Sequence, residues 1–175
     1  MFALIFGLSF LANAQDVQKD QPKGYQFTDI KRLPATSVKD QARAGTCWSW
    51  SGISFFESEM IRMGKEPIDL SAMYIVRHAY SDKATKFVRL HGSMNFAVGG
   101  AFCDVMHVIK NYGIVPMDVY MGLNYGEPNH AFGEIDDVLA GYINAVIKNS
   151  NKKLSTAWKK GFDGILDAYL GEEPE

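Results

Sequence analysis

A mostly helical fold with few strand signals is what this sequence predicts, and three observations lead there. Five stretches carry apolar residues three or four apart, the spacing that one buried helix face requires. Cap-forming residues or glycines mark several of their ends. The composition, 47% hydrophobic and 22% charged, is that of an ordinary globular chain and excludes disorder, collagen and low-complexity sequence. At 175 residues the chain is long enough to bury one core.

The elements follow in order. Residues 1–14, MFALIFGLSFLANA, hold no charge and close on Ala12-Asn13-Ala14 before a polar run. An apolar core ending in small-x-small spacing predicts a signal peptide, and hence a mature chain that begins near Gln15 and is exported to the periplasm or beyond. It falls short of the about 20 apolar residues of a membrane span, and no membrane contact is expected after cleavage. Residues 15–32 are polar and turn-rich and read as a linker or arm, with ordered structure beginning near Leu33. The first helix is expected over 47–63, where Ile53, Phe56, Met60 and Met63 share a face and Gly64 stops the run. Ser71, a favourable N-cap, opens a second helix through Tyr74, Ile75, His78 and Ala79. A third spans about 101–112 and ends at Gly113, after which Pro116 favours an extended turn. The fourth covers 133–148, and its acidic start, Glu134, Asp136 and Asp137, reads as a solvated first turn favoured by the helix dipole. The fifth runs over 155–170, where Trp158, Phe162, Ile165, Leu166 and Tyr169 recur and Gly171 closes the pattern.

Charge and cysteine content narrow the function. Eighteen Lys plus Arg stand against 20 Asp plus Glu, for a net charge of −2. With no basic stripe to neutralise phosphates, nucleic acid is not expected as a partner. The two cysteines, Cys47 and Cys103, are too few for a disulfide scaffold and lack zinc or redox spacing. Cys103, beside Phe102 and Val105, is expected as a small apolar core residue. Cys47 has a different setting.

The stretch VKDQARAGTCWSW, residues 38–50, sets a Gln, a small-residue turn with Gly45, and Cys-Trp at the start of an amphipathic helix. A cysteine there meets the positive end of the helix dipole and several unpaired backbone N–H groups, which favour the nucleophilic thiolate. Gln41, six residues earlier, can donate its amide to the oxygen of an attacked carbonyl, and the Cys47 backbone N–H supplies a second donor. This is the layout of an oxyanion hole.

Gln-x5-Cys-Trp with Gly two before the Cys resembles the active-site segment of papain-like cysteine peptidases. Val98-Gly99-Gly100-Ala101, followed by a helix ending in Asn-Tyr-Gly-Ile-Val-Pro, resembles that family's Gly-Gly strand edge and the helix after it. The commoner secreted members carry a disulfide here, but Ala44 and Ala97 stand at its two positions, as in the bleomycin-hydrolase and aminopeptidase C branch. The resemblance covers about 31–148. It implies an α+β papain-like fold, of which residues 33–175 supply mostly the helical half with the nucleophile helix. It further implies Cys47 as nucleophile, Gln41 as oxyanion donor, Trp48 as a packing residue beside the site, and Gly99 and Gly100 as the border of the substrate cleft. Peptides are the implied substrates, trimmed from the N-terminus, with no metal or organic cofactor and with homo-oligomers as an expectation from relatives.

Such a mechanism needs a His to take the thiol proton and an Asn to orient it, and both are expected about 130 to 150 residues beyond the Cys. That spacing passes Glu175, so the 175 residues are expected to be the N-terminal part of a larger enzyme with little turnover alone. His78, His91, His107 and His130 read as surface or packing residues, since none occupies the family's position. The alternatives are a non-catalytic peptide-binding module using the Gly99-Gly100 edge, and a redox-sensitive thiol protein.

Overall fold

Apart from the C-terminal end of the second helix, the sequence-based helices begin and end within two positions of the real ones. A computed structural model describes residues 24, 25 and 27–174. Among them are five helices: α1 (Cys47–Arg62), α2 (Ala72–Arg89), α3 (Phe102–Tyr112), α4 (Gly133–Ile147) and α5 (Ala157–Leu170). The strand content of the described residues is two isolated bridges, a parallel one between Arg43 and Ala131 and an antiparallel one between Leu70 and Pro116. No described helix is long and apolar enough to cross a membrane.

The chain divides into two units, Met1–Arg32 and Leu33–Glu175. In the first, the described residues form no helix or strand, and Tyr25, Phe27 and Ile30 are exposed. The leader expected over 1–14 lies outside the described residues.

In the second unit α2 is central, packing against each of the other four helices. Its start is fixed by Ser71, whose Oγ accepts the Tyr74 N–H at 3.0 Å and donates to the Tyr120 carbonyl at 2.6 Å. The hydroxyl thus caps the helix and pins the later loop to it. From there Met73, Ile75, Val76, Tyr80, Ala84 and Val88 enter the core. Ile135, Leu139 and Ile143 of α4 and Phe162, Leu166 and Leu170 of α5 join them at 0–1% exposure. Each such side chain contributes roughly 1.5–3 kcal/mol of burial. Sequence periodicity carried α2 only through Ala79, whereas the helix continues to Arg89 because Ala84, Phe87 and Val88 keep the same face buried.

Two expectations are corrected. Cys103 is exposed, because α3 turns Val105 and Val108 inward and position 103 falls outside that arc. Asp136 does not lie in a solvated turn. It is half-buried and accepts the Tyr80 hydroxyl at 2.5 Å, while Glu134 and Asp137 are exposed as expected. Burial holds the Asp136 carboxyl above its usual range even though Tyr80 donates to it.

Candidate active site

Cys47 is the first residue of α1 and is exposed. The turn before it is built from Gln41, whose carbonyl accepts the Ala44 N–H at 3.2 Å, and from Asp40, whose carboxylate accepts the Ala42 N–H at 2.7 Å. Gly45 follows at φ +67, a conformation that favours glycine. Thr46 is the N-cap residue, but its side chain does not cap. Its Oγ1 instead accepts the Trp50 indole N–H at 3.2 Å. The Ser49 N–H turns back to the Thr46 carbonyl at 2.9 Å, while the Cys47 and Trp48 N–H groups make no hydrogen bond to the described residues.

Cys47 and Gln41 line one cavity of about 400 Å³, together with Thr36, Lys39, Trp50, Ser51 and Ser54. The Gln41 side-chain oxygen is buried and has no hydrogen-bond partner among the described residues. The amide is therefore not locked to the protein through its acceptor end.

The segment that leads into Gln41 is tied down by a buried carboxylate. Glu57, on the inner face of α1 at 1% exposure, accepts the Lys39 ammonium at 2.8 Å, the Thr36 hydroxyl at 2.5 Å and the Leu70 backbone N–H at 2.7 Å. Segment 36–41 is thus tied to the helix that carries Cys47. Burial disfavours the Lys39 ammonium, but hydrogen bonds to Asp69 and Glu57 outweigh that and hold it above the ordinary lysine range. Sequence reading missed Glu57. A lone Glu on an otherwise apolar helix face was the signal available.

Trp48 does not line the cavity; it is 8% exposed and packs against the Gly-Gly segment. Its indole N–H donates to the Val98 carbonyl at 3.0 Å. A Cβ on Gly100 would lie 2.5 Å from the indole ring, so only glycine lets this backbone rest there. A Cβ on Gly45 would lie 3.3 Å from Val98, which brings the turn before Cys47 against the same segment. Gly99 and Gly100 are exposed. The structure therefore sets Cys47 and Gln41 on one cavity, and brings Gly100 to the helix of Cys47 through Trp48.

No described histidine lines the Cys47 cavity. His130 is buried and meets the edge of Trp50, with ring centroids 5.9 Å apart, and its Nδ1 has no partner among the described residues. His78 is buried between Tyr74 and Tyr112, with Nε2 3.2 Å from a Glu173 carboxylate oxygen but not aligned for a hydrogen bond. Burial holds both imidazoles below the ordinary histidine range. His107 pairs with Asp82 at 3.0 Å on the exposed side of α3, and His91 sits in the loop after α2 at φ +48.

An exposed thiol at a helix N-terminus, sharing a cavity with a side-chain amide and bordered by an open glycine edge, defines a class of thiol-dependent acyl-transfer sites. The model of the papain family of cysteine proteases matches residues 22–157, and the chain belongs to that family. Cysteine peptidase is the activity this membership carries. Among curated proteins, none matches the chain.

Proposed function

We propose that Cys47 is the nucleophile of a peptidase of the aminopeptidase type, in the bleomycin-hydrolase-like branch, exported through the leader at 1–14. The observation that carries this is the shared cavity of Cys47 and Gln41 at the start of α1. The Cys47 sulfur attacks the peptide carbonyl carbon, and the resulting oxyanion is held by the Gln41 amide and the Cys47 N–H. The tetrahedral species collapses with cleavage of C–N, the amine leaves with a proton, and water releases the acyl group from sulfur. Gly99 and Gly100 offer backbone groups for pairing with an extended peptide. Support for the branch comes from Ala44 and Ala97, which leave both disulfide positions without sulfur. The α+β fold as a whole, the His and Asn that complete the mechanism, and assembly into homo-oligomers belong to the same proposal.

The test compares the 175-residue chain with the complete gene product on an aminoacyl-arylamide and on an N-blocked peptide. The expected result is little turnover by the chain and ready hydrolysis of the unblocked substrate by the complete product. Cys47→Ser should abolish it, and Gln41→Ala should lower kcat about 10²–10³-fold. Hydrolysis that survives Cys47→Ser overturns the reading.

A further inference from the structure

Gly99 and Gly100 belong to a loop, and a loop recognises an extended peptide well only if something fixes its backbone. The segment has no helix or strand of its own and is mostly exposed. Ala97 and Ala44 leave it without the covalent tie that the family resemblance assigns to other members. Its carbonyls are nevertheless all engaged from Ala97 to Gly99. Trp48 donates to the Val98 oxygen at 3.0 Å. The Lys83 ammonium, reaching from α2, donates to the Ala97 oxygen at 3.4 Å and to the Gly99 oxygen. The same ammonium lies 5.3 Å from the centre of the Trp48 ring and 5.9 Å from that of Tyr80, within reach of cation–π attraction. Tyr80 is in turn fixed by its hydrogen bond to Asp136 of α4.

We propose that Lys83 is a positioning residue for peptide binding, an ammonium clamp that holds the Ala97–Gly99 carbonyls against Trp48 and so presents the Gly100 backbone to an extended substrate. The inference rests on the peptidase reading above and extends it to how the cleft edge is held. Three features make the clamp specific. A point charge with three donors serves two carbonyls and a ring face at once, which a neutral side chain cannot do. The indole that receives the cation is the one that bonds Val98 and underlies Gly100, so one contact locks three consecutive residues. The Gly100 backbone makes no hydrogen bond to the described residues and is left for a ligand. Burial holds the Lys83 ammonium below the ordinary lysine range, with Lys86 adding to that and Asp104 and Asp136 opposing it.

Two measurements on the 175-residue chain test the clamp. The first is solvent exchange of the Trp48 indole N–H by NMR, its signal assigned with Trp50→Phe and Trp158→Phe. Lys83→Met is expected to speed that exchange about tenfold and Lys83→Arg to leave it within about twofold of the parent. The second compares Cys47 labelling by a dipeptidyl chloromethyl ketone with labelling by iodoacetamide. Lys83→Met should slow the dipeptidyl reagent about tenfold, leave iodoacetamide unaffected, and be rescued by Lys83→Arg. Where Lys83→Met does not fold, Lys83→Gln is read in the same way. Unchanged indole exchange in the neutral variant, or equal slowing of both reagents, overturns the clamp. A parent that the dipeptidyl reagent labels no faster than iodoacetamide overturns the clamp's role in peptide binding, whereas the peptidase reading fails separately, on hydrolysis that survives Cys47→Ser.

Discussion

At pH 7 the buried imidazoles of His78 and His130 are neutral, because burial holds both below the ordinary histidine range. In the unfolded chain each takes up a proton near pH 6.5. The stability they share in is therefore intact above that pH and lost as pH falls through it towards the folded values, since the unfolded state then binds more protons. Urea midpoints should therefore be lower at pH 5.5 than at pH 7.5. His130→Phe, placed beside Trp50 and Phe132, should shrink the drop. An unchanged drop in that variant would refute the assignment. Proximity was legible where spacing is short: Gln41 and Cys47 are six apart, and one turn and one helix start set them on the same cavity. Glu57 and Lys83 were not, because a charged residue in an amphipathic helix reads as its solvated face. Their tertiary partners, Lys39 and the Leu70 N–H for Glu57 and the Ala97 and Gly99 carbonyls for Lys83, show what each does. Cys103 failed in the opposite sense, since neighbours in sequence are not neighbours on a helix face.

At the scale of elements, helix limits were readable because they are chemical events. Gly113 and Gly171 end α3 and α5, and Ser71 starts α2. Ser71→Ala removes the acceptor for the Tyr74 N–H and the donor to the Tyr120 carbonyl, both buried. The expected loss is about 2 kcal/mol, at the upper end for a cap because a second buried group loses its partner as well. Ser71→Asp, which restores the acceptor but sets a buried carboxylate against the Tyr120 carbonyl, should recover none of the loss. Denaturant unfolding of the two variants checks this, and a loss below about 0.5 kcal/mol for Ser71→Ala would contradict it. The first turn of α4 shows where element-level reading stops. Glu134, Asp136 and Asp137 look alike in sequence, and only the approach of Tyr80 from α2 singles out Asp136.

Across the whole molecule, the sequence told which faces are buried but not which helices they meet, since periodicity carries no partner information. The central place of α2 emerges only in three dimensions. That arrangement has a consequence for the order of folding. The packing of α2 with α1 and α3 joins neighbours in the chain and closes short loops. Its packing with α5 spans far more chain: Ser81 meets Asp163 across 82 residues, and Arg77 meets Asp167 at 2.6 Å. Because loop-closure entropy must be met before distant contacts stabilise the chain, α1, α2 and α3 should condense first and α5 should dock after the rate-limiting barrier. Phe162→Leu, a loss of about 1 kcal/mol, is then expected to speed unfolding and leave refolding nearly unchanged, with a φ-value below about 0.3. Ile75→Val in α2 should instead slow refolding. Stopped-flow chevrons showing the reverse partition would place the nucleus at the other end of the chain. With the expected partition, the helix that presents the Cys47 thiol is assembled kinetically before the C-terminal helix arrives.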